Sequence, residues 1–147
     1  MAGVAIAVLW LDQYTKRLIL DHVRFASYIH LVIPYLLRWN FTENYHGAFG
    51  LFGGNAVLLI GMAMVVLVLF WFSFREEAAR SRVVRVAFGM IVGGAIANIV
   101  DRLHYGYVID FIDFYRIWPN IFNIADSCIT VGVCLLVISG LVTRRHH

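Results

Sequence analysis

Residues 93–102 read GGAIANIVDR, residues 108–113 read VIDFID and residues 122–127 read FNIADS. Together these segments hold four aspartates and two asparagines, and two strongly apolar runs flank them. Ionisable side chains next to hydrocarbon are costly, so their presence there indicates a functional site. We predict that two of these acids, Asp110 and Asp126, meet in one site and carry its chemistry.

The composition is that of a membrane protein rather than of a soluble domain. The chain has 147 residues, which predicts one domain. Hydrophobic residues make up 61% of it and charged residues 14%, with a mean hydropathy of +0.78, whereas soluble chains are roughly 25% charged. A small soluble domain could not bury that much apolar surface, so we expect lipid to surround part of the chain.

The positive charge does not indicate a nucleic-acid partner. The net charge is +3 and the pI is about 9.1, values that a nucleic-acid-binding protein could also show. The basic residues, however, cluster at the ends of the apolar runs and not along one polar face. We therefore expect membrane lipids, and no nucleic acid, as partners.

The cysteines and histidines do not indicate a metal site. Cys128 and Cys134 lie in an apolar run and do not share a helix face, so we predict that they are buried packing residues. No His-x-x-x-His pair is present. We predict no metal and no cofactor. The terminal His146-His147 resembles the remnant of a purification tag.

Four apolar runs predict four membrane helices. The clearest, Ala56 to Phe74, has no charge, and its roughly 19 residues are enough to cross a hydrocarbon core of about 30 Å. In the first run, Asp12 and Lys16 stand one turn apart with the acid first, which favours an intrahelical ion pair. The other three runs extend from Met1 to about Leu20, from about Val83 to Val100 and from about Asn123 to Val142.

Residues from about 25 to 54 are predicted to form a small sheet and loop on the membrane surface. Between Leu37 and Thr42, apolar and polar residues alternate, which is typical of a half-buried strand. A strand cannot cross a bilayer unless a barrel closes. We therefore expect this segment to lie on the surface, followed by a glycine-bearing loop at residues 44–50.

The arginines predict the orientation of the chain in the membrane. Four crossings place both termini on the same side as the segment Arg75–Arg85, which we predict to be a short charged loop. Because this loop is rich in arginine and the tail adds Arg144 and Arg145, this side should be cytoplasmic. Asp110 and Asp126 then lie near the opposite, outer face, in or beside an outer loop of residues 102–122.

The third helix has two stripes of residues spaced by four. Gly89, Gly93 and Ala97 form a small-residue stripe, which predicts close packing against another helix. Asn98 and Arg102 form a polar stripe with Gly94. Asn98 could serve only as an interhelical hydrogen bond, and Arg102 could serve only as an interface anchor; these alternatives stay open.

The three acids of the last segments have different local contexts. Asp126 follows Asn123 by three residues, the pattern of an N-capped helix start, and capping alone could explain it. Asp110 lies between apolar neighbours and could be an exposed carboxylate in an extended segment. We interpret the nearby Asp113 as a solvated or structural acid.

Two carboxyl groups in a partly dry site would act as a unit. Both cannot easily ionise, so one keeps a proton and the pair titrates together. Such a pair can activate a water for attack on an amide carbonyl and can protonate the leaving nitrogen. The chemistry that we predict for Asp110 and Asp126 is therefore hydrolysis of a peptide bond.

Five segments in this order resemble lipoprotein signal peptidase, the type II signal peptidase family of bacteria. They are DQYTK at 12–16, NYHGAF at 44–49, GGAIANIVDR at 93–102, VIDF at 108–111 and FNIADS at 122–127. The resemblance covers essentially the whole chain. It departs from the usual family pattern at Ala97 and at His46, where the family usually has glycine. Neither departure touches the two acids.

The resemblance implies a fold, an activity and a location. It implies a membrane all-α protein of four transmembrane helices with a small extracytoplasmic β-sheet lying on the membrane, spanning residues 1–147 as a single domain. It implies an aspartic endopeptidase that cleaves the signal peptide from diacylglyceryl-modified prolipoproteins before the lipid-bearing cysteine. It also implies a monomer in the bacterial inner membrane, with both termini cytoplasmic and the active site near the extracytoplasmic face.

The resemblance also assigns roles to individual residues. Asp110 and Asp126 match the catalytic aspartates. The positions that match the substrate pocket are Asn44, Gly47, Asn98, Arg102 and Asn123. Three further polar residues, Asp12, Lys16 and Asp101, match positions with a structural role.

Two other functions compete with a peptidase. A small proton-coupled transporter or channel subunit would place its acids near the midplane and would often show an internal repeat, and no repeat is visible. A non-catalytic assembly factor would use the same Asn and Arg residues only to pack helices. Loss of Asp110 would then lower stability and not turnover.

Overall fold

The computed structural model describes residues 1–23, 30–47 and 54–144, and in these ranges the chain forms four long helices and a small antiparallel sheet. The predicted combination of four helices and a small sheet is therefore confirmed. The order is α1 (Ala2–His22), β1 (His30–Ile33), β2 (Leu37–Asn44), α2 (Ala56–Arg80), α3 (Arg82–Tyr105), β3 (Val108–Asp113), β4 (Ile121–Phe122) and α4 (Ile124–Arg144).

The predicted charged loop Arg75–Arg85 is wrong, because this segment is helical on both sides of Ser81. Arg, Glu and Ala are good helix formers, so charge alone does not end a helix. Ser81 is extended and caps α3 by accepting a hydrogen bond from the Val84 amide at 3.4 Å. The Arg85 side chain donates to the carbonyl oxygens of Ala78 and Ala79, which satisfies the end of α2.

The third helix also extends past its predicted end at Val100. It continues to Tyr105 and ends at Gly106, which has a φ of 81°, a conformation that favours glycine. Asp101 and Arg102 are thus interior helix residues rather than the start of a loop. Their side chains have fixed directions relative to Asn98, one turn earlier.

Glycines allow α3 to lie very close to α1 and α4. A Cβ at Gly93 would come within 2.6 Å of the Ala5 carbonyl oxygen, and one at Gly94 within 2.6 Å of the Ala125 carbonyl oxygen. Real side chains do not make such short contacts. The predicted packing role of the small-residue stripe is confirmed at Gly93, which faces α1. Gly94, predicted as part of the polar stripe, brings that stripe against the start of α4.

The sheet has the strand order β1-β2-β3-β4, with every neighbouring pair antiparallel. The alternation seen in the sequence correctly predicts β2. The segment 102–122, predicted as a loop, instead contributes β3 and β4, and β3 pairs along β2. Nearly every residue of β3 is buried, so its sequence shows no apolar–polar alternation that would have predicted a strand.

Helices α2 and α3 are long and apolar enough to cross a membrane, judged over the described residues by length and composition. Helix α1 carries Asp12, Lys16 and Arg17, and the described apolar part of α4 is shorter, Ile124–Gly140. Four membrane crossings therefore stay a prediction. Parts of the predicted surface segment, residues 24–29 and 48–53, and the tail 145–147 with His146-His147 lie outside the described residues.

Candidate active site

Asp110 lies in the middle of β3 and is buried, with 2% of its surface exposed. Its Oδ2 accepts a hydrogen bond from Asn44 Nδ2 at 2.8 Å, and its Oδ1 accepts one from Asn123 Nδ2 at 2.7 Å. The alternative of an exposed carboxylate is therefore wrong. The neighbours Ile109 and Phe111 pack in a hydrophobic cluster with the end of α1, and alternation along the strand turns Asp110 away from that cluster.

Asp126 lies in the first turn of α4 and is partly exposed. Its Oδ1 accepts a hydrogen bond from Asn98 Nδ2 at 2.8 Å, across the interface of α3 and α4. Its backbone amide donates to Asn123 Oδ1 at 2.8 Å, which confirms the predicted N-cap. The helix start, where the backbone dipole favours an anion, therefore holds this carboxyl group.

Two asparagine side chains connect Asp110 to Asp126. Asn123 Nδ2 bonds Asp110 and also reaches Asn98 Oδ1 at 3.2 Å, while Asn98 Nδ2 bonds Asp126. The interhelical hydrogen bond considered for Asn98 is present, and its acceptor is one of the two candidate acids. Asn98 and Asp126 are 28 positions apart in the sequence. Only the tertiary fold could therefore reveal these hydrogen bonds between side-chain amides and carboxyl groups.

The surroundings of Asp110 favour its protonated form. Burial, and secondarily the charge of Asp126, raises the pKa of Asp110 to about 7, against the opposing effect of the hydrogen bonds from Asn44 and Asn123. A carboxyl group with this pKa can donate or accept a proton near neutral pH. Together with Asp126, it forms a site suited to acid–base chemistry.

Asn44 and Gly47 form the edge of the site at the end of β2. Asn44 Oδ1 accepts hydrogen bonds from the backbone amides of His46 and Gly47 at 3.2 and 3.0 Å, which fixes its amide nitrogen toward Asp110. Gly47 has a φ of 69°, and a Cβ there would lie 3.5 Å from Arg102 Nη2. A larger residue than glycine would be strained at this φ, and its Cβ would come within 3.1 Å of Leu59 Cδ2.

Arg102 reaches the same edge from α3. Its Nη1 donates to the Asn98 carbonyl oxygen at 3.3 Å. Its Nε is buried and has no hydrogen-bond partner among the described residues. A buried donor without a partner is costly, so Arg102 has bonding capacity that a ligand could use.

Asp12, Lys16 and Asp101 form a buried ion triad, a name used below for these three side chains. Lys16 Nζ lies 2.7 Å from Asp12 Oδ2 and 2.7 Å from Asp101 Oδ2, and it is 3.3 Å from Asn98 Oδ1. The predicted pairing of Asp12 with Lys16 is present, but it lies in the protein interior and includes Asp101. Sequence reasoning missed Gln13, which donates to Asp101 Oδ1 at 2.8 Å; its polarity within an apolar run was the available signal.

Asp113 is separate from this network. Its Oδ2 accepts hydrogen bonds from Arg38 Nε at 2.6 Å and from Asn40 Nδ2 at 2.9 Å. It is buried, so of the two interpretations the structural acid is correct and the solvated acid is wrong. These contacts join β2 to β3 at the end of the strand away from Asn44.

The fold has four helices rich in apolar residues, and beside its sheet the side chains of two asparagines connect two carboxyl groups by hydrogen bonds. These features define a membrane protein with a two-acid site. Comparison with known proteins gives the family: residues 4–142 match the sequence profile described as signal peptidase (SPase) II. The chain belongs to the signal peptidase II family, as the resemblance implied.

Individual relatives agree with this assignment. The chain is 35% identical to the lipoprotein signal peptidase of Halothermothrix orenii, over 92% of this chain and 90% of the relative. It is 36% identical to that of Acinetobacter baylyi, over 99% and 83%. A solved structure titled as a bacterial membrane enzyme is 31% identical and superimposes with a TM-score of 0.84, covering 94% of this chain and 85% of that one. None of these comparisons supports a transporter.

Proposed function

We propose that this protein is an aspartic endopeptidase that removes the signal peptide from diacylglyceryl-modified prolipoproteins, with Asp110 and Asp126 as its catalytic pair. The observation that carries the proposal is the chain of hydrogen bonds from Asp110 through Asn123 and Asn98 to Asp126. It is supported by the family match and by the relatives, which are named lipoprotein signal peptidases. Cleavage is proposed to fall just before the lipid-bearing cysteine.

The pair would hydrolyse the peptide bond with one shared proton. The ionised carboxylate takes a proton from a water molecule as the water oxygen attacks the scissile carbonyl carbon. The protonated carboxyl group gives its proton to the leaving nitrogen as the carbon–nitrogen bond breaks. The pKa of about 7 for Asp110 supports this mechanism, because the pair can hold one proton at neutral pH.

The polar residues around the pair would bind the substrate. The Nε of Arg102, which has no partner within residues 1–23, 30–47 and 54–144, is suited to donate to a carbonyl oxygen of the bound segment. The amides of Asn98 and Asn123 hold the acids and border the same space, and Asn44 and Gly47 close it from the sheet. We assign all five residues to the substrate site. Asn44 and Asn123 bond Asp110, and Asn98 bonds Asp126. Arg102 bonds the Asn98 carbonyl oxygen, and its side chain lies beside Gly47.

We propose that all four helices cross the bacterial inner membrane, with both termini in the cytoplasm. Two charges of α1 do not argue against a crossing, because Lys16 and Asp12 are 2% and 0% exposed and are paired inside the protein. The exposed pair of Arg17 and Asp21 lies near the end of the helix, where we place the membrane surface. The long exposed apolar surface of α2 would face lipid. The acids would then lie near the extracytoplasmic face, and a monomer contains every residue assigned to the site.

Cleavage of a lipid-modified precursor tests the proposal. Purified protein in lipid vesicles would be mixed with a precursor whose cysteine carries diacylglycerol, and with the same precursor lacking the lipid. We expect signal-peptide release from the first and at least about 100-fold slower release from the second, because binding energy from the remote lipid should promote the reaction. No cleavage of the lipid-modified precursor, or cleavage at another bond, would contradict the proposal.

A further inference from the structure

We infer that the buried ion triad of Asp12, Lys16 and Asp101 is a positioning device that sets the geometry of the two catalytic acids; this inference rests on the proposed function. In the described part of the chain, the triad makes no hydrogen bond of its own to the carboxyl group of Asp110 or Asp126. It acts instead on the backbone residue that precedes each acid and on the side chain of Asn98.

Each aspartate of the triad holds the residue just before a catalytic acid. Asp12 Oδ1 accepts a hydrogen bond from the amide of Ala125, which precedes Asp126, at 2.8 Å. Asp101 Oδ2 accepts one from the amide of Ile109, which precedes Asp110, at 3.0 Å. Hydrogen bonds to a carboxylate are shorter and stronger than neutral ones. Through the backbone, these two hydrogen bonds therefore fix the position of Asp110 relative to Asp126.

Lys16 connects Asp12 to Asp101 and orients the side chain of Asn98. Its ammonium group lies 2.7 Å from both carboxylates. The two aspartates that bond the Ala125 and Ile109 amides are therefore connected through one ammonium group. It also donates to Asn98 Oδ1 at 3.3 Å. An ammonium group only donates hydrogen bonds, so the oxygen of Asn98 must face Lys16. Its Nδ2 is thereby directed to Asp126 Oδ1.

The pattern of contacts distinguishes positioning from simple stabilisation. A buried ion pair is by itself weak evidence of stability, because desolvation of the charges offsets their attraction. Here all three side chains contact groups adjacent to, or bonded to, the catalytic acids. The ion pair of Arg38, which is 27% exposed, with Asp113 lies on the sheet that carries Asp110. Among the described residues, it makes no hydrogen bond to Asn98 or to a residue that precedes either acid. It provides a matched control.

Substitutions at Asp101 test the inference. Asp101→Leu removes the acceptor for the Ile109 amide, and it should lower kcat of the folded protein by about 100-fold, the cost of misplacing reacting groups by about 1 Å, with KM changed less than threefold. Asp101→Asn keeps one acceptor oxygen, and the Gln13 amide can rotate to bond the new NH2 group. It should restore kcat to within threefold of wild type. The control Asp113→Leu should lower the thermal midpoint and leave kcat within threefold.

Several outcomes would overturn the inference. Wild-type kcat in folded Asp101→Leu, or equal loss of kcat in Asp101→Leu and Asp113→Leu, would do so. If neither Asp101→Leu nor the equivalent Asp12→Leu folds, Asp101→Asn decides. A folded Asp101→Asn protein with kcat reduced more than tenfold would overturn the inference, because this variant keeps an acceptor for the Ile109 amide. Failure of the proposed function would look different, since wild-type protein itself would then not release a signal peptide.

Discussion

Asn123 holds both candidate acids with one side chain. Its oxygen caps α4 by accepting a hydrogen bond from the Asp126 backbone amide, while its nitrogen donates one to the Asp110 carboxyl group. A helix cap therefore also fixes the relative position of two residues from different elements. The sequence predicts the cap, because Asn before a helix with an acid three residues later is a familiar pattern. It does not predict the bond to Asp110, which requires β3 to lie beside the helix start.

Asn123→Ala should therefore affect both stability and activity. Loss of the cap should lower the free energy of unfolding by about 0.5–2 kcal/mol, and loss of the donor to Asp110 should lower kcat at least tenfold. Asn55→Ala is the matched control, because Asn55 caps α2 by accepting from the Leu58 amide at 3.1 Å. It should lower stability by a similar amount with kcat near wild type. Thermal melts and initial rates measure both, and equal kcat in the two variants would contradict this role.

The raised pKa of Asp110 predicts how stability changes with pH. The native pKa is about 7 and the ordinary value is 3.8, so between these pH values the folded state keeps a proton that the unfolded state releases. Below the ordinary pKa, both states hold this proton. As the pH rises from 3.8 to about 7, the free energy of unfolding therefore falls, by on the order of 1.4 kcal/mol per pH unit. Asp110→Asn removes this titrating group.

The test compares wild type with Asp110→Asn between pH 5 and pH 8. The difference in unfolding free energy, wild type minus variant, should fall as pH rises to about 7 and should then level off. Wild-type turnover should decline above the same pH, because the proton donor is lost. A stability difference that does not change with pH would show that Asp110 has an ordinary pKa.

Among the elements, the approach of α3 to α4 controls where Asp126 lies. Gly94 lies against the first turn of α4, where an added Cβ would come within 2.6 Å of the Ala125 carbonyl oxygen and 2.8 Å of Ile129 Cγ1. The backbone oxygen cannot move without shifting the helix start. The residue that makes close packing possible is therefore one turn from Asn98, which bonds Asp126.

Gly94→Ala should separate the two helices and impair the site. We expect a loss of about 1–3 kcal/mol in stability, typical of overpacking, and a fall in kcat of at least tenfold. Gly61→Ala, where an added Cβ meets nothing within 4 Å, is the matched control on α2. It should be neutral or stabilising, because alanine favours a helix over glycine. Thermal melts and rates measured on both variants decide, and equal behaviour would contradict the packing argument.

The elements differ in how well their sequences predict them. The four helices follow from long apolar runs and β2 follows from alternation, because each pattern reflects a single buried face. Strand β3 is buried on both faces and lacks such a pattern. The loop prediction for Arg75–Arg85 is wrong because a run of charged residues does not end a helix. The break between α2 and α3 is a single extended residue, Ser81.

In the molecule as a whole, the ends of α1 and α3, the start of α4 and the sheet meet at one end of the helices. The family resemblance selected Asp110 and Asp126 as the candidate acids, but the sequence alone could not show the asparagine hydrogen bonds that connect them. Asp12 and Ala125 are 113 positions apart, yet they share a hydrogen bond. Such contacts depend on the full tertiary fold and leave no periodic signal in the chain.

The proposed orientation in the membrane predicts which surface residues a membrane-impermeant thiol reagent can reach. In a background with Cys128→Ala and Cys134→Ala, Ile117→Cys reports on the sheet end and Arg82→Cys on the α2–α3 connection; both native side chains are exposed. In intact spheroplasts, Ile117→Cys should be labelled and Arg82→Cys should be labelled only after permeabilisation. The reverse pattern would contradict cytoplasmic termini, and labelling of both sites without permeabilisation would contradict the four crossings.

The most direct test of the paired-acid mechanism is the cleavage rate of purified Asp110→Asn and Asp126→Asn on a diacylglyceryl-modified precursor. Asp113→Asn is the matched control, because Asp113 lies on the same strand and bonds only Arg38 and Asn40 among the described side chains. Each of the first two variants should remain folded and lose at least about 100-fold in kcat, while Asp113→Asn should stay within threefold of wild type. A folded Asp110→Asn or Asp126→Asn protein that cleaves the precursor at more than a tenth of the wild-type rate would contradict the mechanism.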